Sequence, residues 1–429
     1  MPLQVYLESL GCKLNQCERD ALARRFVEEG HVVVDRAEDA DVCVVNTCAV
    51  THVAAQKSRR RFRQLQRINL AARLVATGCY AGMEKNGLHA DLVVLNDRKE
   101  DLVSLVTERL EEWGLGRVVA GSGRISPGRA RSPAPTWGGM QRTRAMVKIQ
   151  DGCDNACTFC VIHLLRGRQR SRPRDEILAQ VAAWVQQGVH EVVLTGVHVG
   201  AYGRDSGDDL IGLVGAILAE TPPDRLRLSS IEPWDLTPEF FSLWQDPHLC
   251  RHLHLPLQSG CNATLRRMNR HYTTAQYAGW VSQARAAIPG LALTTDLIAG
   301  FPGETEQEFV ASAEFVARMA FARAHVFSYS ERPGTPAATM PGAVDPQVRR
   351  QRAWQLREIA RRSGEAFRRQ FVGQTLPVLW ETRCADGRWP GLTDHYIRVF
   401  TESEQDLANT LCDTRLTGLD AGGMRGELR

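Results

Sequence analysis

The sequence predicts an α/β protein in three parts: an N-terminal open parallel α/β domain, a central partial (β/α)6 barrel and a C-terminal small all-β barrel. Three observations carry this. Short apolar runs alternate with helical patterns through residues 1–112, and again from about residue 145 to 330; such alternation builds parallel sheets. A stretch rich in Gly, Ser, Pro and Arg separates the two series and has little periodicity. The tail after residue 370 reads as short strands among Gly and Asp. The expected divisions are 1–113, a linker at 114–138, 139–370 and 371–429.

Hydrophobic content of 43 % and charged content of 24 % are ordinary for a globular chain. No apolar run approaches the ~18 residues of a membrane span, and no signal peptide is evident, so a cytoplasmic protein is expected. Twelve cysteines in a reducing compartment point to metal ligation and away from a disulfide framework. Net charge is only +4, although 48 of the 53 basic residues are Arg. Abundant Ala beside them fits a GC-rich genome equally well, so clustering of charge, not its total, must carry any nucleic-acid argument.

In the first domain, strands are expected at residues 5–9, 42–45, 74–76 and 92–95, with helices near 18–29, 53–67 and 99–112. Cys12, Cys48 and Cys79 each fall just past a strand end. In open α/β sheets the crevice beyond the carboxyl ends of the strands binds ligands. One such Cys reads as a small buried hydrophobe; three in one topological position read as a three-thiol cluster. Cys43 belongs to the core, and Cys17 is undecided. The run Lys57-Ser58-Arg59-Arg60-Arg61-Phe62-Arg63 lies on the second helix, where a solvated face and a phosphate-binding face both remain open. The linker is followed by Arg142 and Arg144.

The barrel strands are expected at 145–150, 191–197, 225–231, 252–257, 292–298 and 324–330, with helices clearest at 174–187, 210–220, 275–287 and 306–319. By analogy with the eightfold barrel, chemistry belongs at their carboxyl ends, and the informative loops are there. The first holds Cys153, Cys157 and Cys160. Three thiols at this spacing leave one over from any disulfide, and their natural partner is a metal. Zinc usually takes four ligands, and so does a [4Fe-4S] cube, but three thiolates leave one iron open for a chelating small molecule. A structural zinc knot is the competing reading. Gly196 and Gly200 in the second loop are expected to let backbone approach a ligand. Five Arg stand at 166, 168, 170, 172 and 174 beside the thiol loop. A solvated run is the bland alternative, but the density favours RNA contact by Arg166, Arg168, Arg170 and Arg172. The tail opens with an Arg-rich helix at 346–369, and then strands at 374–380, 391–393 and 396–400 imply a small barrel of a kind that binds RNA. Cys384 and Cys412 there are isolated and structural.

The C-x3-C-x2-C spacing, with Phe159 before the last Cys, resembles the signature of the radical S-adenosylmethionine (SAM) superfamily. Nearly the whole chain resembles its methylthiotransferases, which join a Cys-bearing N-terminal domain, a radical SAM core and a C-terminal TRAM domain. The resemblance implies two [4Fe-4S] clusters. Cys12, Cys48 and Cys79 match the auxiliary set, and Cys153, Cys157 and Cys160 match the set whose open iron binds SAM. Phe159, Thr195, Gly196, Glu232 and Asp296 are expected to contact SAM, and no catalytic residue is expected beyond the clusters. Gly-Cys-Lys-Leu-Asn-Gln with Glu18, and Thr-Cys-Ala-Val-Thr before Lys-Ser-Arg, look most like the branch acting on threonylcarbamoyladenosine beside the tRNA anticodon. Cys17, His163 and Cys261 depart from that branch, which often has Tyr, Pro and Ser there; none removes a ligand. Other branches act on isopentenyladenosine in tRNA or on a ribosomal-protein aspartate. The resemblance implies methylthiolation at adenine C2, with a low-potential electron donor such as flavodoxin or ferredoxin and the tRNA anticodon stem-loop as partners. That C–H bond is neither acidic nor electrophilic, so cofactors must carry the chemistry, and the base must leave its stack at a cost of a few kcal/mol. A radical enzyme of another reaction, or a metal-binding RNA protein without activity, are the other readings.

Overall fold

The computed structural model describes residues 2–83, 88–115 and 143–429. Most of the expected linker, and Arg142, lie outside the described residues. The chain forms two compact units, one holding residues 1–141 with Leu164–Gly167, the other Arg142–His163 with Arg168–Arg429.

The first unit is a five-stranded parallel sheet in the order β2-β1-β3-β4-β5, built from β1 (Gln4–Ser9), β2 (Val32–Val34), β3 (Val42–Thr47), β4 (Arg73–Gly78) and β5 (Leu92–Val94). Every residue of the central strand β3 is buried, as a parallel strand covered on both faces must be. Helices α1 (Lys13–Glu28), α2 (His52–Ile68), α3 (Cys79–Met83) and α4 (Leu102–Glu108) connect the strands. Val5, Leu7, Leu22, Phe26, Val44 and Leu102 make its core. The Thr51 side chain caps α2 by accepting from Ala54 N at 3.1 Å. On the basic run of α2, Arg59 donates to the Tyr80 hydroxyl at 3.0 Å and Arg61 to Glu8 at 2.6 Å, while Lys57, Arg60 and Arg63 are exposed. The edge strand β2 is absent from the sequence reading, because three residues are too few to show a period. Helix α1 starts five residues before its expected position, where buried Asn15, Glu18 and Arg19 hide the apolar stripe.

The second unit opens with β6 (Arg144–Lys148) and a short antiparallel pair, β7 (Gln150–Asp151) with β8 (Arg170–Ser171). Its barrel continues through β9 (Glu191–Thr195), β10 (Arg225–Leu228), β11 (His252–His254), β12 (Ala292–Ala299) and β13 (Arg323–Ser328). Two three-stranded parallel sheets, β10-β9-β6 and β11-β12-β13, are joined by parallel bridges at Leu226–Leu249 and Ser230–His254. Six parallel strands thus form the expected partial barrel. Helices α5 (Ile162–Arg166), α6 (Arg174–Gln186), α7 (Leu210–Glu220), α8 (Pro238–Ser242), α9 (Asn262–Arg267), α10 (Thr274–Ala287) and α11 (Glu306–Met319) intervene. Thr273–Gln276 and Thr305–Glu308 form capping boxes at the starts of α10 and α11.

After α12 (Pro346–Arg369), β14 (Thr375–Trp380), β15 (Trp389–Leu392), β16 (Arg398–Thr401), β17 (Leu411–Asp420) and β18 (Gly423–Leu428) close a barrel in the order β14-β15-β16-β18-β17. This barrel docks on the amino-terminal ends of the parallel strands through arginines. Arg225 donates to Leu392 O at 2.7 Å, Arg227 to Asp394 O at 2.8 Å, and Arg251 pairs with Asp394 at 2.6 Å. Arg227 is fully buried, paired with fully buried Glu191 at 2.7 Å and stacked 4.7 Å from the Tyr396 ring centre. Among the described residues no helix is long and apolar enough to cross a membrane.

Candidate cluster and cofactor sites

In the first unit the three thiols come together because three adjacent parallel strands end side by side. Cys12 follows β1 as the extended N-cap of α1, Cys48 follows β3, and Cys79 follows β4 to open α3. Two glycines make this approach feasible. Gly11 (φ +99°) lies so close to Cys48 that a Cβ there would sit 2.6 Å from its Cβ and Sγ. Gly78 (φ +91°) is pressed on Asn46 and Thr47, with a Cβ 2.4 Å from Asn46 Oδ1. Behind the thiols stands a buried polar network. Glu18 accepts from Lys99 at 2.6 Å and from Arg166 at 2.7 Å, Arg166 also donates to Asn15 Oδ1 at 3.0 Å, and Asn46 donates to Glu18 at 3.1 Å. Two cations share one carboxylate, so this wall favours anionic sulfur. Burial nonetheless pushes the bare Cys48 thiol up to about 11, with Cys12 and Cys79 adding to the rise and Arg166 opposing it. Metal must therefore displace protons here. All three thiols are free. Among the described residues no three His, Cys, Asp or Glu side chains converge tightly enough for a single metal ion. Cys43 and Cys17 are buried on β3 and α1.

In the second unit, Cys153, Cys157 and Cys160 lie on the loop after β7. Gln150 is fully buried, and its amide pins this loop to the next one. Its Nε2 donates to Gly152 O at 2.7 Å, and its Oε1 accepts from Val197 N and His198 N at 3.0 and 2.9 Å. Thr158 is tied from three sides, donating to Met268 O and Arg267 O and accepting from Ala337 N. Each sulfur is met by N–H donors, among them Asn155 N on Cys153 at 3.4 Å, Ile162 N on Cys160 at 3.4 Å and Arg270 on Cys157 at 3.5 Å. Hydrogen bonds to cysteine sulfur are a recurring support of iron–sulfur sites, so this donor set fits a three-thiolate cube. Burial pushes the bare Cys160 thiol up to about 12.

The expected SAM contacts occupy the carboxyl-end side of this barrel. Phe159 packs edge-on against Phe301, with centroids 6.5 Å apart. Buried Thr195 ends β9, its carbonyl accepting from Ile149 N at 2.9 Å. Glu232 forms an ion pair with Arg270. Asp296 pairs with His254 at 3.3 Å; burial alone would raise its carboxyl, but His254 outweighs this and lowers it. Gly196 and Gly200 both lie close against neighbouring protein. A Cβ on Gly196 would lie 3.0 Å from the Gln150 side chain, and one on Gly200 2.1 Å from Asp235. The missing side chains let Gln150 and Asp235 pack against this loop.

The arginine run also divides. Arg166 is buried in the first unit on Glu18 and Asn15, so it supports the thiol site there and offers nothing to phosphate. Arg172 donates to Lys148 O and Gln180, both at 2.8 Å. Arg168 and Arg170 are the exposed members. Sequence reasoning missed Arg270, which is buried between Trp234 (4.8 Å) and Tyr272 (5.2 Å). It also gave no role to His198, which bonds Asp235 at 2.7 Å and Asn155 at 3.2 Å. Nothing in the sequence around position 270 marks its sulfur contact; only the fold brings it to Cys157.

Comparison with known proteins adds the following. Residues 147–316 match the model of the Radical SAM superfamily, and residues 4–96 that of the Uncharacterized protein family UPF0004. The chain is 35 % identical to the threonylcarbamoyladenosine tRNA methylthiotransferase MtaB of Bacillus subtilis, over 96 % of this chain and 93 % of that one. It is also 35 % identical to the Thermotoga maritima protein of the same name, over 92 % and 90 %. It is 33 % identical to the tRNA-2-methylthio-N(6)-dimethylallyladenosine synthase of Moorella thermoacetica, over 97 % and 96 %. Among solved structures, the radical SAM methyltransferase TsrM from Kitasatospora setae has a like fold, with a TM-score of 0.59 at 15 % identity, covering 78 % of this chain and 75 % of that one.

Proposed function

This chain belongs to the radical SAM methylthiotransferases, and on that premise we propose that it places a methylthio group on C2 of N6-threonylcarbamoyladenosine, 3′ of the anticodon in tRNA. The observation that carries this is the pairing of two three-thiol sites in one chain, each at the carboxyl ends of parallel strands. The branch follows the relatives named for threonylcarbamoyladenosine, which resemble this chain over nearly its full length. When bound, two [4Fe-4S] clusters and SAM supply the radical, the sulfur and the methyl group.

The chain's own residues have the following roles in this reading. Cys12, Cys48 and Cys79 hold one cluster, and Cys153, Cys157 and Cys160 hold the other. Asn155 N, Ile162 N and Arg270 donate to the second set of sulfurs, and Gln150 and Thr158 fix their loop. Phe159, Thr195, the backbone of Gly196, Glu232 and Asp296 flank SAM. Exposed Arg168 and Arg170 take RNA phosphates. A flavodoxin or ferredoxin supplies electrons, and the reaction takes place in the cytoplasm. The test is mass spectrometry of tRNA nucleosides from cells with and without the gene. Loss of 2-methylthio-threonylcarbamoyladenosine with accumulation of its unthiolated precursor is expected. Loss of the isopentenyl counterpart instead would move the chain to the other tRNA branch.

A further inference from the structure

The Arg-rich helix α12, the starts of β12 and β13, and the C-terminal barrel enclose a cavity of about 540 Å³ that no role above uses. Among the described residues its walls carry Arg323, Arg357, Arg361, Arg368, Arg398 and His395, and not one Asp or Glu. Arg357, Arg361, Gly364 and Arg368 follow one another at intervals of four, three and four, which is one face of a helix. Arg361 is held by Glu358 and Glu365, and Arg398 by Glu381. Among the described residues, Arg323, Arg357 and Arg368 have no carboxylate within ion-pair distance.

One buried guanidinium donor is also unmet. Arg368 Nε is buried with no hydrogen-bond partner. Buried donors without acceptors are rare in folded proteins. A ligand with several acceptor oxygens and negative charge would complement these arginines, because guanidinium forks match phosphate in shape as well as sign. We propose that this cavity is a phosphate-binding site, whose ligand is an internucleotide phosphate of RNA or the phosphates of a free nucleotide.

The test titrates full-length, cluster-loaded protein with pyrophosphate by calorimetry, and with tRNA at several salt concentrations. It compares the wild type with R357Q/R368Q and R357K/R368K. Wild type should bind pyrophosphate saturably, the Gln pair about tenfold or more weakly, and the Lys pair, which keeps its charge, at intermediate strength. If RNA is the source, pyrophosphate competes with tRNA, and the Gln pair flattens the slope of log K against log salt by roughly 1.4–1.8. If a free nucleotide is the source, ADP competes with pyrophosphate and tRNA binding is unmoved. Absence of saturable pyrophosphate binding by the wild type overturns the proposal, even where the Gln pair fails to fold. So does pyrophosphate binding that both variants leave unchanged. Neither result touches the nucleoside analysis, so the two readings fail separately.

Discussion

Arg270 lies against a sulfur of the proposed cluster site without being a ligand itself. Its guanidinium is buried, donates to Cys157 Sγ at 3.5 Å and is balanced by Glu232. Positive charge and a hydrogen bond at a cluster sulfur stabilise the more negative, reduced state. Arg270→Gln should make that cluster harder to reduce, by roughly tenfold in the reduction equilibrium or about 60 mV for one electron. Potentiometric titration followed by electron paramagnetic resonance reads this directly, and an unmoved potential would reduce Arg270 to a packing residue. A second residue-scale prediction concerns Arg168 and Arg170. Changing both to Gln should flatten the salt dependence of tRNA affinity by roughly 1.4–1.8, with iron content unchanged. The same change at Arg166 should act differently, because its partner Glu18 is buried. Breaking that pair should cost about 3–5 kcal/mol of stability, measurable by denaturant unfolding.

At the scale of elements, the thiol sites depend on how strands end. Gly78→Ala would put a Cβ 2.4 Å from Asn46 Oδ1 in a backbone region that disfavours side chains. The conformational part alone costs roughly 1–2 kcal/mol. Reconstituted protein should retain the iron of the Cys153 set and lose that of the Cys12 set, about half of the roughly eight irons expected from two four-iron clusters. Much of this was readable in advance. The strand-end positions of all six cysteines follow from short apolar runs that stop at Gly or at a turn. What stayed hidden has physical causes. Strand β2 is a three-residue edge, β17 and β18 are polar-alternating strands of a small barrel with half their residues outside, and α5, α8 and α9 are too short to show a period. The arginine run misled because charge density does not reveal direction. Arg166 turns inward only because Glu18, 148 positions earlier, lies behind it.

At the scale of the whole chain, the C-terminal barrel is more than an appendage. Arg225 and Arg227 extend from β10 into its backbone carbonyls, and Arg251 meets Asp394. Truncation near Phe371 would therefore leave buried guanidiniums without acceptors, and a several-degree fall in Tm is expected beside any loss of tRNA binding. Point variants, not truncation, should separate grip from stability. The same junction sets an acid limit. Burial alone would raise the Asp394 carboxyl, but His395 and Arg251 outweigh it and hold it below the usual carboxylate range. Its stabilisation is present above the ordinary Asp value near ~3.9 and is lost as pH falls through the depressed one. Asp394→Asn should therefore lower stability at neutral pH and flatten the acid limb of a Tm-against-pH curve.

The arginine junction also fixes a length. The C-terminal barrel is bolted to the starts of β6 and β10 through Arg144, Arg225 and Arg227, and the Cys153 loop lies past the other end of β6 and β7, so within this unit the separation of the two is built in and not adjustable by a hinge. If RNA is gripped at the barrel, the enzyme works as a gauge, selecting its nucleotide by distance from the grip as well as by the base itself. A tRNA whose anticodon stem is longer by one base pair should then bind with near-native affinity yet present its target out of reach. Binding and modification should come apart in that substrate although its target base is unchanged.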